Sequence, residues 1–353
     1  MTDAALDDSS LQPAHHTSRE VWVRDESLRI QTLRGLACVL LVAFHVIGSH
    51  SSSGLRVDED SLYRQFCNLF MHLRMPLFTF LSVFVYAYRP VLRADAAGFA
   101  RKKLIRLVLP LLCVSTLYFL STFAAPEATG RLPWQEAWRI YVFPYVHFWF
   151  LQAIILIFAL VLGLEALQLL TRGRTYMTVL IFFMALHLYV PQENADNVIF
   201  SVVHAVYLAP FFLLGLGVNR FRSVFLKPAL SWIIAACFLG AMTLHALTIA
   251  DDGQIAERGS VLGLLIGVAG TLTLIYFFPH LRTLEWLGAY SFTVYLFHPF
   301  FVAASRAALK VAQITSTELG FAVGLAAGVL GPVALERILQ RSTLLRRLLL
   351  GQR

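Results

Sequence analysis

The sequence predicts an all-α integral membrane protein, a bundle of about ten transmembrane helices. Two observations lead to this prediction. Apolar residues occupy 58% of the 353 positions and charged residues only 14%, whereas about a quarter of the residues of a soluble domain are charged. In addition, apolar runs of membrane-spanning length recur from Leu33 to Leu335. The lipid bilayer is therefore the expected solvent, and this pattern excludes a soluble enzyme.

The apolar runs divide the chain into three parts. A polar tail covers 1–30 and lacks the apolar core of a cleavable signal peptide. A transmembrane domain covers 31–338, and a basic amphipathic tail follows over 339–353. Within the domain, windows of about twenty residues predict helices at 31–50, 69–88, 105–124, 145–168, 176–190, 201–218, 229–249, 260–279, 286–305 and 318–338.

The basic residues predict the orientation, because loops rich in Lys and Arg resist translocation. With the N-terminus in the cytoplasm, most of the 29 Lys and Arg residues fall in cytoplasmic segments. An even number of helices returns the C-terminus to the same side. We therefore expect a multi-pass protein of the cell inner (plasma) membrane with both termini cytoplasmic.

Several functional classes are disfavoured by what the sequence contains. The net charge of +8 is spread over short clusters between apolar runs, so we expect no nucleic-acid partner. The four cysteines have no CxxC spacing, which argues against a disulfide framework or a zinc site. Neither an HExxH nor a GxSxG motif is present. No metal cofactor is expected.

The first predicted helix carries two polar residues on one face. His45 follows Arg34 by eleven residues, which returns to nearly the same face about 16 Å further along the axis. Charged and polar groups are costly in hydrocarbon and usually face a functional cavity. The alternative is that Arg34 reaches the lipid headgroups and that His45 makes an interhelical hydrogen bond.

The ninth predicted helix, in the segment SFTVYLFHPF, also carries polar residues on one face. His298 follows Ser291 by seven residues, and Tyr295 lies between them. The helix runs from the inner to the outer side, which puts His298 at a depth comparable to that of His45. The two imidazoles are candidates to line one cavity, although a packing hydrogen bond remains open for His298.

Polar residues also mark the two sides of the membrane. Lys103 and Arg106 belong to a basic inner cluster that suits either the phosphates of a nucleotide-like donor or lipid headgroups. Arg74, His147 and Trp149 lie at the predicted outer mouth. They are candidates to bind an acceptor substrate, whereas interfacial anchoring explains Arg74 and Trp149 equally well.

Five segments, in order over most of residues 31–300, resemble the motifs of membrane acyltransferase family 3. These multispanning O-acyltransferases modify bacterial surface glycans and some small molecules. The segments are LRGLACVLLVAFH, RMPLFTFLSVFVYAYRP, FARKKLIRLVLP, VHFWFL and SFTVYLFHPF. Two positions depart from the pattern. Val83 stands where the family often has Gly, and Lys103 replaces an Arg, which keeps the charge but loses bidentate geometry.

The resemblance implies transfer of an acyl group, usually acetyl, from cytoplasmic acyl-CoA to a hydroxyl of an envelope or exported glycan. Arg34, Lys103 and Arg106 are then expected to bind the donor's phosphates. His45 is expected to act as general base or acyl carrier, with His298 as its catalytic partner.

The same resemblance implies roles on the acceptor side. Ser291 and Tyr295 are expected to orient His45 or to bind the developing oxyanion, and Arg74, His147 and Trp149 to shape the acceptor entrance. The acceptor is expected to be a glycan, such as exopolysaccharide or lipopolysaccharide, or a lipid-linked saccharide. We expect no fused SGNH-type domain in this chain, which leaves a separate extracytoplasmic transfer partner open.

Two other functions remain open on the sequence. A transporter or flippase of a glycan-related substrate could use the same Arg, His and Pro-kinked helices to line a pathway. A non-catalytic membrane partner could retain the scaffold. A covalent acylated product distinguishes the enzyme from both.

Overall fold

The structure is a computed structural model that describes residues 18–87, 96–124, 130–225, 227–253 and 255–352, and within these ranges it leaves out the side chains of 18–26, 85–87, 96–104 and 252. The described residues form α-helices and short 3-10 turns, without a β-strand. The helices are α1 (Ser18–Ile47), α2 (Leu62–Leu69), α3 (Met71–Ala87), α4 (Ala96–Ala124), α5 (Arg139–Val142), α6 (Trp149–Ala166), α7 (Gly173–Tyr189), α8 (Val202–Arg220), α9 (Arg222–Phe225), α10 (Pro228–Asp252), α11 (Val261–Phe277), α12 (Arg282–Ala289), α13 (Ser291–Val311), α14 (Thr317–Leu339) and α15 (Thr343–Leu350).

The all-α membrane fold is confirmed in this part of the chain, but the count of about ten spans is not. Seven described helices are long and apolar enough to cross a membrane, within α1, α4, α6, α8, α10, α13 and α14. The pair α2 and α3, bent by 44°, makes an eighth if it is one span. The remaining two predicted spans correspond to α7 and α11, which have only 17 residues each. Such helices are at the short limit for crossing a bilayer.

Helices α1 and α8 lie at the centre of the bundle. Helix α8 packs against α3, α6 and α7, and its Phe211 and Phe212 are fully buried. Helix α1 packs against α3, α12, α13 and α14. By contrast, only 17% of the span in α10 is buried, so most of its apolar surface faces outwards. An apolar helix with an exposed face is what a lipid-facing position requires.

Glycines allow the backbones of α1 and α12 to touch. A Cβ atom at Gly288 would lie 1.9 Å from the carbonyl oxygen of Gln31, and one at Gly35 would lie 2.0 Å from that of Leu284. Neither collision can be relieved by turning a side chain, because the neighbour is backbone in both cases. The contact fixes the middle of α1, which carries Arg34, against the segment that leads into α13.

Replacement of Gly288 with alanine is therefore expected to destabilise the protein by about 1–3 kcal/mol or more, because the two backbones must separate. The matched control is Gly240→Ala in α10, where an added Cβ meets nothing within 4 Å. That change should be neutral or favourable by up to about 1 kcal/mol, since Ala is the better helix former. Thermal unfolding of both detergent-solubilised variants measures the difference. Equal unfolding midpoints for the two variants would contradict the expected destabilisation by Gly288→Ala.

The two ends of the bundle differ. We call the end with Arg34, Arg106 and Glu336 the cavity end, and the opposite end, with the loops 48–61 and 190–201, the loop end. At the loop end the buried Arg64 binds the carbonyl of Gly48 and pairs with Glu59 at 3.1 Å.

The loop 48–61 is further held through Glu59. The backbone N–H of Ser51 donates to the Glu59 carboxylate at 2.6 Å and lowers the pKa of that carboxyl from its usual value. The carboxylate is therefore charged at neutral pH and can hold Arg64.

The two predicted tails lie partly within the described residues. Residues 1–17 fall outside them, while 18–30 continue the helix α1 towards the N-terminus. In the segment 339–353, helix α15 packs against α4.

Candidate active site

Three histidines from distant parts of the sequence meet in one cluster. The ring centroids of His45 and His298 lie 4.5 Å apart, those of His147 and His298 5.3 Å apart, and those of His45 and His147 6.2 Å apart. His147 and His298 are buried, and His45 is half-buried. The sequence prediction that His45 and His298 lie at similar depth is confirmed by this contact. We call these three residues the histidine cluster.

A proline helps to position His298. Pro299 lies inside α13 and has no N–H to donate to the carbonyl four residues earlier, which belongs to Tyr295. The Nδ1 atom of His298 lies 3.0 Å from that carbonyl oxygen and 2.8 Å from the carbonyl of Val294. The imidazole thus supplies a hydrogen bond that the proline removes, and this fixes the ring against its own helix.

A strained turn places His147 just before α6. The preceding residue, Val146, has φ 38°, a left-handed conformation that is rare for a β-branched residue. Such strain persists only where the surroundings enforce it. Gly130 supports the turn, since a Cβ there would lie 2.4 Å from the Val146 side chain.

The hydrogen bonds of the cluster indicate which ring nitrogens carry protons. A nitrogen that faces a carbonyl oxygen must donate, and the other nitrogen of a neutral ring is then an acceptor. Nδ1 of His45 faces the Leu41 carbonyl at 2.9 Å, and Nε2 of His147 faces the Leu296 carbonyl at 3.3 Å. Nε2 of His298 is buried and has no hydrogen-bond partner among the described residues. The cluster therefore offers imidazole nitrogens that can accept a proton.

Arg74 lies beside the cluster. Its guanidinium carbon is 3.7 Å from the ring centroid of Phe44, the residue before His45, and its side chain is 5% exposed. Tyr118 of α4 contacts the cluster from another side, with its ring 5.8 Å from that of His147. The histidine cluster is thus bordered by a buried cation and by a phenol.

A cavity of about 170 Å³ opens at the cavity end of the bundle. Its polar lining includes Arg34, Arg106, Ser82 and Ser291. The Arg34 guanidinium also donates to the Leu81 carbonyl at 3.3 Å, which holds it in the cavity wall. Two cations from α1 and α4 therefore share one cavity, as the motifs of these helices predicted. Lys103 was predicted with them, but its side chain lies outside the described residues.

Tyr295 joins the cavity to the histidine cluster. It lines the cavity together with Phe150, and the two rings are 5.4 Å apart. Its hydroxyl donates to the carbonyl of His147 at 2.7 Å, and it lies one helical turn from His298. Tyr295 therefore lines the cationic cavity and also contacts the histidine cluster.

One residue of the cavity escaped the sequence prediction. Glu336 of α14 lines the cavity, is 7% exposed and accepts a hydrogen bond from the Thr293 hydroxyl. It also interacts electrostatically with Arg106. Its signal in the sequence was an acidic residue at the very end of an apolar run, where a carboxylate is costly unless it is paired.

Two of the predicted substrate-binding residues lie away from the histidine cluster. Trp149 stacks on His204 of α8, with ring centroids 4.5 Å apart and planes at 29°, and His204 lies 3.5 Å from the Asp196 carboxylate. Ser291 lies in the cavity wall, two helical turns from His298. The structure thus places Trp149 on the α8 side and Ser291 with the cations.

Metal-ligand geometry is absent from the part of the chain that the structure describes: no group of three or more His, Cys, Asp or Glu side chains there could hold an ion. The four cysteines are free thiols. Among the described residues, the cavity wall and the histidine cluster supply imidazoles, guanidiniums, hydroxyls and the carboxylate of Glu336.

Comparison with known proteins agrees with the motif resemblance. No curated protein and no solved structure matches the chain. A family model described as an acyltransferase domain matches residues 28–337, a range that includes the histidine cluster and nearly all of the cavity wall. Because this match covers most of the 353 residues, the chain belongs to membrane acyltransferase family 3.

Proposed function

We propose that this membrane acyltransferase is an O-acyltransferase that moves an acyl group, in the first place acetyl, from cytoplasmic acyl-CoA to a hydroxyl of an envelope or exported glycan. The observation that carries the proposal is the junction at Tyr295. On one side of this residue lies a cavity with two arginines, and on the other side lie three imidazoles. The cavity with the arginines suits a phosphate-rich donor, and the imidazoles suit general-base catalysis.

The donor occupies the cavity in this proposal. Arg34 and Arg106 bind its phosphates, because guanidinium groups form strong charge-assisted hydrogen bonds with phosphate oxygens. Lys103 supplies a further cation from the same helix as Arg106. The acyl thioester then extends past Tyr295 towards the histidine cluster.

The chemical step takes place at the histidine cluster. His45 removes the proton from the acceptor hydroxyl, and the oxygen attacks the thioester carbonyl carbon. The C–S bond breaks, an ester forms, and the CoA thiolate leaves and takes up a proton from the imidazolium. His298 positions His45 and can share the proton, since its Nε2 has no other partner among the described residues. The buried Arg74 guanidinium is suited to stabilise the oxyanion.

The acceptor approaches from the loop end, which is the extracytoplasmic side if both termini are cytoplasmic. Arg74 borders the histidine cluster there and His147 forms part of it, while Trp149, on the side of α8, offers an aromatic ring for a sugar. A lipid-linked saccharide or a glycan passed on by a separate extracytoplasmic partner fits this direction of approach. The inner (plasma) membrane gives the protein access to cytoplasmic acyl-CoA and to exported glycans.

A direct test is to incubate membranes that contain the protein with acetyl-CoA radiolabelled in the acetyl group, together with extracted envelope glycans. We expect the label to enter an alkali-labile ester in one glycan fraction. Succinyl-CoA serves as the second donor if acetyl-CoA is inactive. Membranes without the protein provide the background.

A different result identifies the competing function. If neither donor yields an ester, and labelled saccharide crosses the membrane of vesicles that contain the protein, the chain is a transporter or flippase. The proposal then fails, because a transporter makes no covalent acylated product.

A further inference from the structure

The short helix α15 ends in a defined backbone motif at the cavity. Ser342 caps its start, where the hydroxyl accepts a hydrogen bond from the Leu345 N–H at 3.3 Å. Gly351 ends it with φ 61°, and the N–H of Gln352 donates to the Arg346 carbonyl at 3.3 Å. Glycine is favoured at such a helix end because other residues are strained in the left-handed conformation. The segment therefore has a specified path rather than that of a loose tail.

Gly351 lies directly on the backbone of Arg106. A Cβ at this glycine would be 2.5 Å from both the Cα and the carbonyl oxygen of Arg106. Pro110 follows four residues later in α4 and cannot donate to that carbonyl. The end of α15 thus covers α4 at a turn that lacks one helical hydrogen bond.

The residues on either side of Gly351 hold this contact and reach the cavity. Leu350 is fully buried, which anchors the segment. Gln352 lines the cavity together with Arg34 and Arg106. Its carboxamide can donate hydrogen bonds to phosphate oxygens without adding charge.

We propose that residues 343–352 form part of the donor site, with Gly351 as a positioning residue for Arg106 and Gln352 as a ligand of the donor's phosphate groups. This inference rests on the proposed function, because it assigns the cavity to acyl-CoA. It extends the donor site beyond the family domain, since Gly351 and Gln352 lie outside the range 28–337 that the family model matches.

The test compares two glycine variants. Gly351→Ala introduces strain and a collision with Arg106. Gly253→Ala is the matched control, because Gly253 ends α10 with φ 64° and has nothing within 4 Å of an added Cβ. The readouts are CoA binding to the detergent-solubilised protein, and KM and kcat with acetyl-CoA. We expect Gly351→Ala to weaken CoA binding and raise KM about tenfold, with kcat nearly unchanged, while Gly253→Ala leaves the CoA affinity at the wild-type value.

A second pair of variants keeps the test valid if Gly351→Ala fails to fold. Gln352→Ala should weaken CoA binding severalfold. Gln352→Glu, of equal size but negatively charged, should weaken it further at low ionic strength, and added salt should reduce the difference because it screens the repulsion from phosphate. A purely structural role of Gln352 predicts no such salt dependence.

The outcomes separate this inference from the proposed function. If the wild type binds CoA and transfers acetyl, but the Gly351 and Gln352 variants match it in affinity and KM, then residues 343–352 are not part of the donor site. If the wild type neither binds CoA nor transfers an acyl group from any acyl-CoA, the proposed function itself fails and the inference fails with it.

Discussion

Replacing His45 with alanine is expected to reduce the rate of acyl transfer by about 10²–10⁴-fold, the usual contribution of a general base. The residue has the required geometry, since Nδ1 is held by the Leu41 carbonyl and its ring contacts His298. The effect should appear in kcat, because in the proposed mechanism the imidazole acts on the acceptor hydroxyl, and His45 is not part of the cavity wall. Label transfer from acetyl-CoA into glycan ester measures it.

The matched control is His245→Ala. His245 is likewise a histidine in an apolar helix; it is buried and faces the Asn68 carbonyl at 3.2 Å, but it contacts His72 rather than the histidine cluster. It should retain transfer in proportion to the amount of folded protein. Full activity of His45→Ala at wild-type expression would exclude His45 as base and as acyl carrier.

The second large effect is expected from Arg34→Ala. A hydrogen bond to a charged group contributes about 1.5–3 kcal/mol, which corresponds to about a ten- to hundredfold higher KM for acyl-CoA. The value of kcat should change less, because Arg34 lies about 16 Å from His45 along α1. Arg34→Lys should be intermediate, since it keeps the charge and loses the planar fork. Initial rates over a range of acetyl-CoA concentrations provide both constants.

The exposed Arg174 of α7 supplies the control for this variant. Arg174→Ala removes one positive charge without altering the cavity and should leave KM unchanged. Should both variants raise KM equally, the effect would reflect overall charge rather than a phosphate site at Arg34.

The sequence allowed the helical membrane fold and much of the site to be predicted. Apolar runs located the long helices, and the spacing of Arg34 and His45 put a cation and an imidazole on one face of α1. The motif series identified the family. It also indicated the cations that line the cavity, since each lies in a helix with a strong local pattern.

Other features depend on contacts between distant segments, which a local pattern does not encode. The hydrogen bond between Thr293 and Glu336 joins α13 to α14. The stacking of Trp149 on His204 depends on how α6 packs against α8. The conformation of Val146 runs against its intrinsic preference and so gives no signal in the sequence. The docking of α15 was missed for a similar reason, because a basic amphipathic segment is typical of a surface tail.

In the proposed mechanism the continuous helix α1 sets a length requirement for the donor. Arg34 and His45 belong to one continuous helix and are about 16 Å apart along its axis. A donor that is bound by its phosphates at Arg34 must carry its acyl group on an arm of about this length. The extended arm of CoA suits this distance, whereas acetyl phosphate, whose acyl and phosphoryl groups share one oxygen, is too short. In the proposed mechanism α1 therefore fixes the distance between the donor's phosphates and its acyl group, and small activated acyl phosphates should fail as donors even at high concentration.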